Sequence, residues 1–209
     1  PQGKCTLFSS GGKEKVSIPH INQQFESLGW KDIEVDGELY RHGMPHEEIR
    51  SIVSRTRFLH PKHEDIQFWA YDFIRGEVFW ENAEGIRDEY NITEDTPQRQ
   101  RLKALHAFSF AQRTQVPNIL TLTDRFAKTF QDVEDMYQSC LDLKFEGVII
   151  RHPKAGYVRK QTTTMMKLKP RLSGTYTVVD FKEEIDINGN PKETLGALVL
   201  EDLRSEEHT

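Results

Sequence analysis

The stretch Ile66-Gln-Phe-Trp-Ala-Tyr-Asp-Phe-Ile74 constrains the fold more than any other part of the 209 residues. A strand places alternate residues on opposite faces, so one that is apolar or aromatic at nearly every position needs cover on both sides. This predicts a central strand over Ile66–Ile74 with other elements packed around it. Lys4–Ser9 and Glu34–Tyr40 read as further strands, separated by the Gly11-Gly12 turn and a loop around Pro19. Pro45 opens a helix whose Ile49, Ile52 and Val53 recur at i, i+3 and i+4. Thr96-Pro97 is a cap followed by a first-turn proline, which starts a helix from Gln98 to about Phe110. Val133, Met136, Tyr137, Cys140 and Leu141 share one face of another helix, making Cys140 a packed core thiol.

After that helix come a buried strand, Gly147–Arg151, a basic loop, and a strand, Met165–Lys169. Pro170 marks a boundary. Beyond it, Thr175–Lys182, a turn at Asn188-Gly-Asn-Pro191, and Leu195–Glu201 form a β-hairpin. The fold class expected is α+β with an antiparallel sheet core, followed by the beginning of a separate β-domain.

Composition narrows the function. Aromatic residues make up 10% of the chain, enough for a packed core and against disorder throughout. No apolar run approaches roughly 18 residues, so no membrane span is expected. The opening residues lack the basic-then-apolar pattern of a signal peptide, and Cys5 and Cys140 make no disulfide framework, which points to a reducing cytoplasm. The net charge is −5, yet residues 151–182 hold eight basic residues against one acid, Asp180. Such a stripe on an acidic protein reads either as a phosphate site or as a solvated strand face.

Three strand-like segments place polar groups among apolar neighbours: Glu38 in Val35-Asp-Gly-Glu-Leu-Tyr40, Glu146 in Phe145-Glu-Gly-Val-Ile-Ile-Arg151, and Lys167 and Lys169 in Met165-Met-Lys-Leu-Lys-Pro170. On a strand Lys167 and Lys169 share a face, with Met166 and Leu168 toward the core, and two adjacent cations favour an anion between them. Carboxylates are hard ligands for a divalent cation or partners for ribose hydroxyls. Together with an aromatic strand, these groups describe a nucleotide site. Each also has a plainer reading: Asp-Gly-Glu and Glu-Gly as turns, Lys-x-Lys as a solvated edge, Tyr71 as a core aromatic with a satisfied hydroxyl, and Asp72 as a structural hydrogen-bond partner. The pairs His42/His46 and His60/His63 are interrupted by Pro45 and Pro61 and read as solvated loop histidines rather than zinc ligands.

In this order, the segments resemble the motifs of the covalent lysyl-nucleotidyltransferases, and specifically of phage-type ATP-dependent DNA ligases. Asp36-Gly-Glu38 is similar to that family's third motif, Phe68-Trp-Ala-Tyr-Asp72 to the aromatic motif after it, Glu146-Gly-Val148 to the fourth and Lys167-Leu-Lys169 to the fifth. Leu7-Phe-Ser-Ser-Gly11 resembles the strand and turn after the first motif, and Leu195–Asp202 an early strand of the family's oligonucleotide-binding (OB) barrel. The resemblance implies an adenylation (nucleotidyltransferase) domain over 1–170, the start of an OB-fold over 171–203, and a non-native tail over 204–209.

It also implies ATP and Mg2+ as cofactors, nicked double-stranded DNA as substrate, and a cytoplasmic monomer acting in DNA repair or replication. Lys167 and Lys169 would neutralise charge on the α-phosphate, Glu146 would hold the metal, and Glu38 the metal or the ribose. Tyr71, or Phe68 as runner-up, would stack on adenine, and Arg151, Arg159, Lys160 and Arg171 would meet DNA phosphates. Three departures stand beside this. Lys4 is followed by Cys-Thr-Leu rather than x-Asp-Gly, so the nucleophilic Lys is expected outside the 209 residues, which are expected to be inactive as a ligase on their own and not to self-adenylylate. Ser9-Ser10 stands where many relatives carry Ser-Arg, and the sixth motif is absent. RNA ligases and messenger-RNA capping guanylyltransferases share these motifs, and a non-catalytic nucleotide- or DNA-binding remnant is the reading from a different class.

Overall fold

The computed structural model describes residues 3–28, 32–81, 87–112, 116–171 and 175–202. These fall into two compact units, Pro1–Lys169 and Pro170–Thr209. The first unit holds β1 (Glu34–Tyr40), β2 (Gln67–Glu81), β3 (Arg87–Ile92) and β4 (Ile119–Thr121) in one sheet. β2 is its hub, pairing antiparallel with β1 and β3 and parallel with β4. The aromatic run is therefore central, as its composition requires, and the strand continues to Glu81 because β3 pairs with its second half.

Helices α1 (Pro19–Ser27), α2 (His46–Val53) and α3 (Gln98–Gln112) supply the cover. Ile18, Ile21, Ile49, Ile52, Ile66, Phe68, Ala70, Phe73, Ile92, Leu105 and Ile119 form one buried cluster with them. Ile49 and Ile52 are the buried residues of α2, on the face the spacing predicts. The expected loop around Pro19 is instead α1. Proline suits the first helical position because its φ is pre-set and that N–H has no partner in the helix.

Lys4–Ser9 is not a strand. The segment folds back on itself with a single bridge, Phe8 to Glu14, and Lys15 N–H donates to the Leu7 carbonyl at 2.8 Å. Side chains of α1 take the backbone groups of Cys5 that a strand neighbour would use. Its N–H donates to Glu26 Oε1 and its carbonyl accepts from Asn22 Nδ2, both at 3.0 Å.

Helix α4 (Phe130–Asp142) starts at a capping box: Asp132 N–H donates to Thr129 Oγ1, and Asp132 Oδ2 accepts from Thr129 N–H. It carries the predicted face, but none of its residues is fully buried, so Cys140 is a half-buried thiol rather than a core one. β5 (Val148–Arg151) and β6 (Met165–Leu168) pair only with each other among the described residues. The first of the two is not the buried strand expected, and Met166 of the second does not face the core. Ile149 is 47% and Met166 60% exposed, because no further described strand flanks the pair and the buried cluster takes nothing from it. Lys169 lies just past the end of β6.

The second unit is the expected antiparallel hairpin, β7 (Tyr176–Ile185) and β8 (Pro191–Asp202), with both strands reaching further toward the turn than the sequence suggests. Its turn is held by Asp186 Oδ1, which accepts from Asn188 N–H at 2.8 Å and Asn190 N–H at 2.9 Å. The tail 204–209 lies outside the described residues. No helix among the described residues is long and apolar enough to cross a membrane.

Candidate nucleotide site

The site begins with an irregularity in the β1–β2 ladder. Asp36 pairs with Asp72 but Gly37 pairs with Ala70, which leaves Tyr71 as an extra residue on β2. Such a bulge shifts the alternation of faces and re-aims side chains. Before it, Phe68 and Ala70 are in the core; after it, Phe73 is. Tyr71 and Asp72 both turn to the face opposite that core. Gly37 is needed at this crossing, since a Cβ there would lie 2.5 Å from Phe68 Cζ and 2.7 Å from the Trp69 carbonyl oxygen.

Tyr71 and Asp72 line a cavity of about 120 Å3 with Asp36, Ile149, Met165 and Tyr157. A cavity of roughly 150 Å3 takes one benzene-sized ring, so this space is on the scale of a single ring and does not by itself enclose a whole nucleotide. Tyr157 Oη donates to Asp36 Oδ2 at 2.6 Å, and the Tyr71 hydroxyl bonds the same carboxylate. Burial pushes both phenols well above the usual tyrosine range and Asp36 pushes them further, so both remain hydroxyl donors at any physiological pH. The Arg151 guanidinium lies 5.0 Å from the Tyr71 ring centroid.

Behind the cavity is a buried ionic network. Arg101 of α3 donates from Nε to Asp72 Oδ1 at 2.8 Å and from Nη2 to Oδ2 at 3.0 Å. Its remaining N–H groups reach Gln98 Oε1, the Thr96 carbonyl and the Ala155 carbonyl. All five guanidinium donors are therefore used. Arg151 Nη1 adds a third bond to Asp72 Oδ2 at 2.7 Å. Two guanidinium groups thus balance the carboxylates of Asp72 and Asp36, and the lining is close to neutral, suited to an uncharged ring.

The charged end lies two residues along each strand. Asp36 leads to Glu38 on β1, Tyr71 to Trp69 on β2, and Met165 to Lys167 on β6; Glu38 stands opposite Trp69 and Ile149 opposite Lys167. Lys167 Nζ is 3.6 Å from Glu146 Oε2, with the two side chains 56% and 66% exposed. Burial raises the pKa of Tyr40, and the charges of Glu146 and Glu38 both raise it further, so both carboxylates lie on the side of this phenol. Tyr40 Oη shares a 3.1 Å hydrogen bond with His42 Nδ1, and His42 packs on Phe145 with ring centroids 4.7 Å apart.

Glu38, Glu146, Lys167 and Tyr71 are thus brought to one face. Phe68 is not: it is 7% exposed in the core, edge-on to Phe25 at 5.3 Å. Lys169 is exposed beyond β6, and Lys160 and Arg171 are exposed. Arg159 holds Glu34 through both terminal nitrogens, at 2.6 and 2.7 Å, and Glu94 at 2.7 Å. Arg151 is turned inward to Asp72, so two of the three arginines expected on DNA phosphates, Arg151 and Arg159, have carboxylate partners within the protein. Asp72 is the structural partner the plainer reading gave it. Sequence reasoning missed Arg101 and Gln98. The available signal was an arginine on the same helical face as Ala104 and Leu105, a position where an apolar residue is expected.

Among the described residues no group of three or more His, Cys, Asp or Glu side chains could hold a metal ion. Two convergent carboxylates with open surroundings fit Mg2+, which keeps several waters and binds through one or two carboxylates plus substrate phosphates.

No protein-family model matches the sequence, and no curated protein matches it. Solved structures do. A structure described as Pmar-Lig_PreS3 superposes with a TM-score of 0.72 at 21% identity, over 97% of this chain and 46% of that one. A structure from a study of DNA binding by Lig E DNA ligases gives 0.66 at 17% identity, over 95% of this chain and 67% of that one. Chlorella virus DNA ligase-adenylate gives 0.60 at 14%, over 94% and 68%. The chain spans a little under half the length of the Pmar-Lig structure, 46%. Its fold, a mixed α and antiparallel β arrangement, is that of the DNA ligases.

Proposed function

We propose that this chain carries the nucleotide-transfer site of an ATP-dependent DNA ligase that seals nicks in double-stranded DNA. On this reading residues 1–170 are the adenylation domain, 171–203 the opening strands of an OB barrel, and the protein acts as a cytoplasmic monomer. The observation that carries it is the meeting of Glu38, Glu146 and Lys167 on the same face as a neutral, ring-sized cavity. Adenine occupies the cavity against Tyr71, and the phosphates lie at the charged end. Glu38 and Glu146 would hold Mg2+, which neutralises phosphoryl oxygens when bound. Lys167 leaves Glu146 for the α-phosphate, an easy exchange because an ion pair this exposed is worth little. Lys169 adds positive charge on the same side. DNA phosphates meet Lys160 and Arg171, and Arg159 joins them only by leaving Glu34 and Glu94; Arg151 serves the cavity wall.

Nucleotide binding tests this reading. The chain is expected to bind ATP in the presence of Mg2+ and to prefer it to GTP, measured by calorimetry. Stacking of a base on an aromatic ring is worth about 1–3 kcal/mol, so Tyr71→Ala is expected to weaken ATP roughly tenfold or more, while Tyr71→Phe keeps most of the affinity. Preference for GTP would turn the assignment to a guanylyltransferase, and absence of binding to both would overturn it.

A further inference from the structure

Gln98 is 5% exposed at the start of α3 and lines the cavity. Its Oε1 accepts from Arg101 Nη2 at 2.6 Å. A guanidinium has only donors, so this bond fixes the amide: oxygen faces Arg101 and nitrogen faces away. Gln98 Nε2 is buried and has no hydrogen-bond partner among the described residues. Arg101 is itself held by Asp72 and two backbone carbonyls, so the amide cannot turn to relieve its nitrogen. A buried donor without an acceptor is costly and calls for an explanation. The cavity it lines provides one, since a heteroaromatic ring brings acceptors that the apolar wall of Ile149 and Met165 does not.

We infer that Gln98 is a specificity-determining residue of the site, its Nε2 donating to one ring nitrogen of the adenine held in the cavity. This rests on the reading of the cavity as a base site. With Oε1 turned to Arg101, the group that Gln98 offers to a ring in the cavity is the Nε2 donor. A donor at this position favours adenine over guanine where it meets N1, which is an acceptor in adenine and an N–H in guanine, and recognises either purine where it meets N3 or N7.

Removing ring acceptors one at a time tests this. Binding of ATP and of 1-deaza-, 3-deaza- and 7-deaza-ATP, each with one ring nitrogen replaced by C–H, is measured on the wild-type chain, Gln98→Met and Gln98→Glu. Gln98→Glu keeps an acceptor for Arg101 and nearly the same shape, so it serves if Gln98→Met fails to fold. The wild type is expected to bind one analogue about 5- to 10-fold more weakly than ATP and the other two nearly as well as ATP, the size of one hydrogen bond. In either variant that difference is expected to vanish. Equal binding of all three analogues by the wild type, or the same difference persisting in the variants, would overturn the role of Gln98 while leaving the base site standing. No ATP binding by the wild type would overturn both.

Discussion

Replacing Asp72 by alanine is expected to lower the stability of the first unit by about 3–5 kcal/mol, the usual cost of removing one partner from a buried ion pair. The side chains of Asp72 and Arg101 are each 1% exposed, and the carboxylate accepts two bonds from Arg101 and one from Arg151. Without it, the Arg101 charge stays buried with only neutral partners. The pair Asp72→Ala and Arg101→Met together is expected to recover part of the loss, because both charges then leave the interior. Chemical denaturation followed by tryptophan fluorescence reads this unit selectively, since all three tryptophans fall between residues 1 and 169. A loss below about 1 kcal/mol for Asp72→Ala would show that the network is not a buried ionic one.

Gly147→Ala is expected to act on the site more than on the core. Gly147 has φ near +148°, and a Cβ there would lie 2.1 Å from the Leu168 carbonyl oxygen and 3.0 Å from Lys169 Cα. Both neighbours are backbone, so no side-chain rotation relieves the clash. The strand β5 must move away from β6, carrying Glu146 away from Lys167. A displacement of about 1 Å at a reacting centre costs on the order of 100-fold in rate. The buried cluster draws nothing from β5 or β6, so the fluorescence midpoint is expected to fall far less than in Asp72→Ala. Sealing kinetics beside denaturation midpoints separate the two effects. A variant that seals like wild type would show that the close approach at Gly147 does not set the position of Glu146.

Much of this was legible in the sequence because the signals were local. The aromatic run of β2 demanded cover on both faces, α2 showed its buried face by spacing, and the Asn-Gly turn announced the β7–β8 hairpin. Asp-Gly-Glu lies on β1, Glu-Gly just before β5 and Lys-x-Lys at the end of β6, so these segments could be placed from their local signals. What escaped was set by contacts distant in sequence. Whether Lys4–Ser9 paired as a strand depended on Glu26 and Asn22 of α1, which take its backbone groups. Alternation set Phe68 and Tyr71 on opposite faces but could not say which face is the core, because the bulge at Tyr71 puts both Phe68 and Phe73 on it. Arg101 and Gln98 are polar residues whose helical spacing puts Arg101 on the face of Ala104 and Leu105 but names no partner for either. Only the fold brings Asp72 against one and the cavity against the other. The exposure of β5 and β6 likewise reflects the lack of a flanking strand among the described residues, which no property of Val148–Arg151 reveals.

The central claim is that Glu38, Glu146 and Lys167 form a nucleotidyl-transfer site, and sealing of a pre-adenylylated nick tests it most directly. In this step the DNA 3′-hydroxyl attacks the 5′-phosphorus, the new phosphodiester bond forms, the anhydride bond to AMP breaks, and the hydroxyl proton passes to solvent. No enzyme-bound adenylate is required, so the chain can be assayed without a Lys-x-Asp-Gly motif. The account predicts Mg2+-dependent sealing by the chain, reduced about 100-fold or more when Glu38→Gln and Glu146→Gln are combined. Failure of the wild-type chain to seal, or sealing that the combined substitution leaves unchanged, would contradict it.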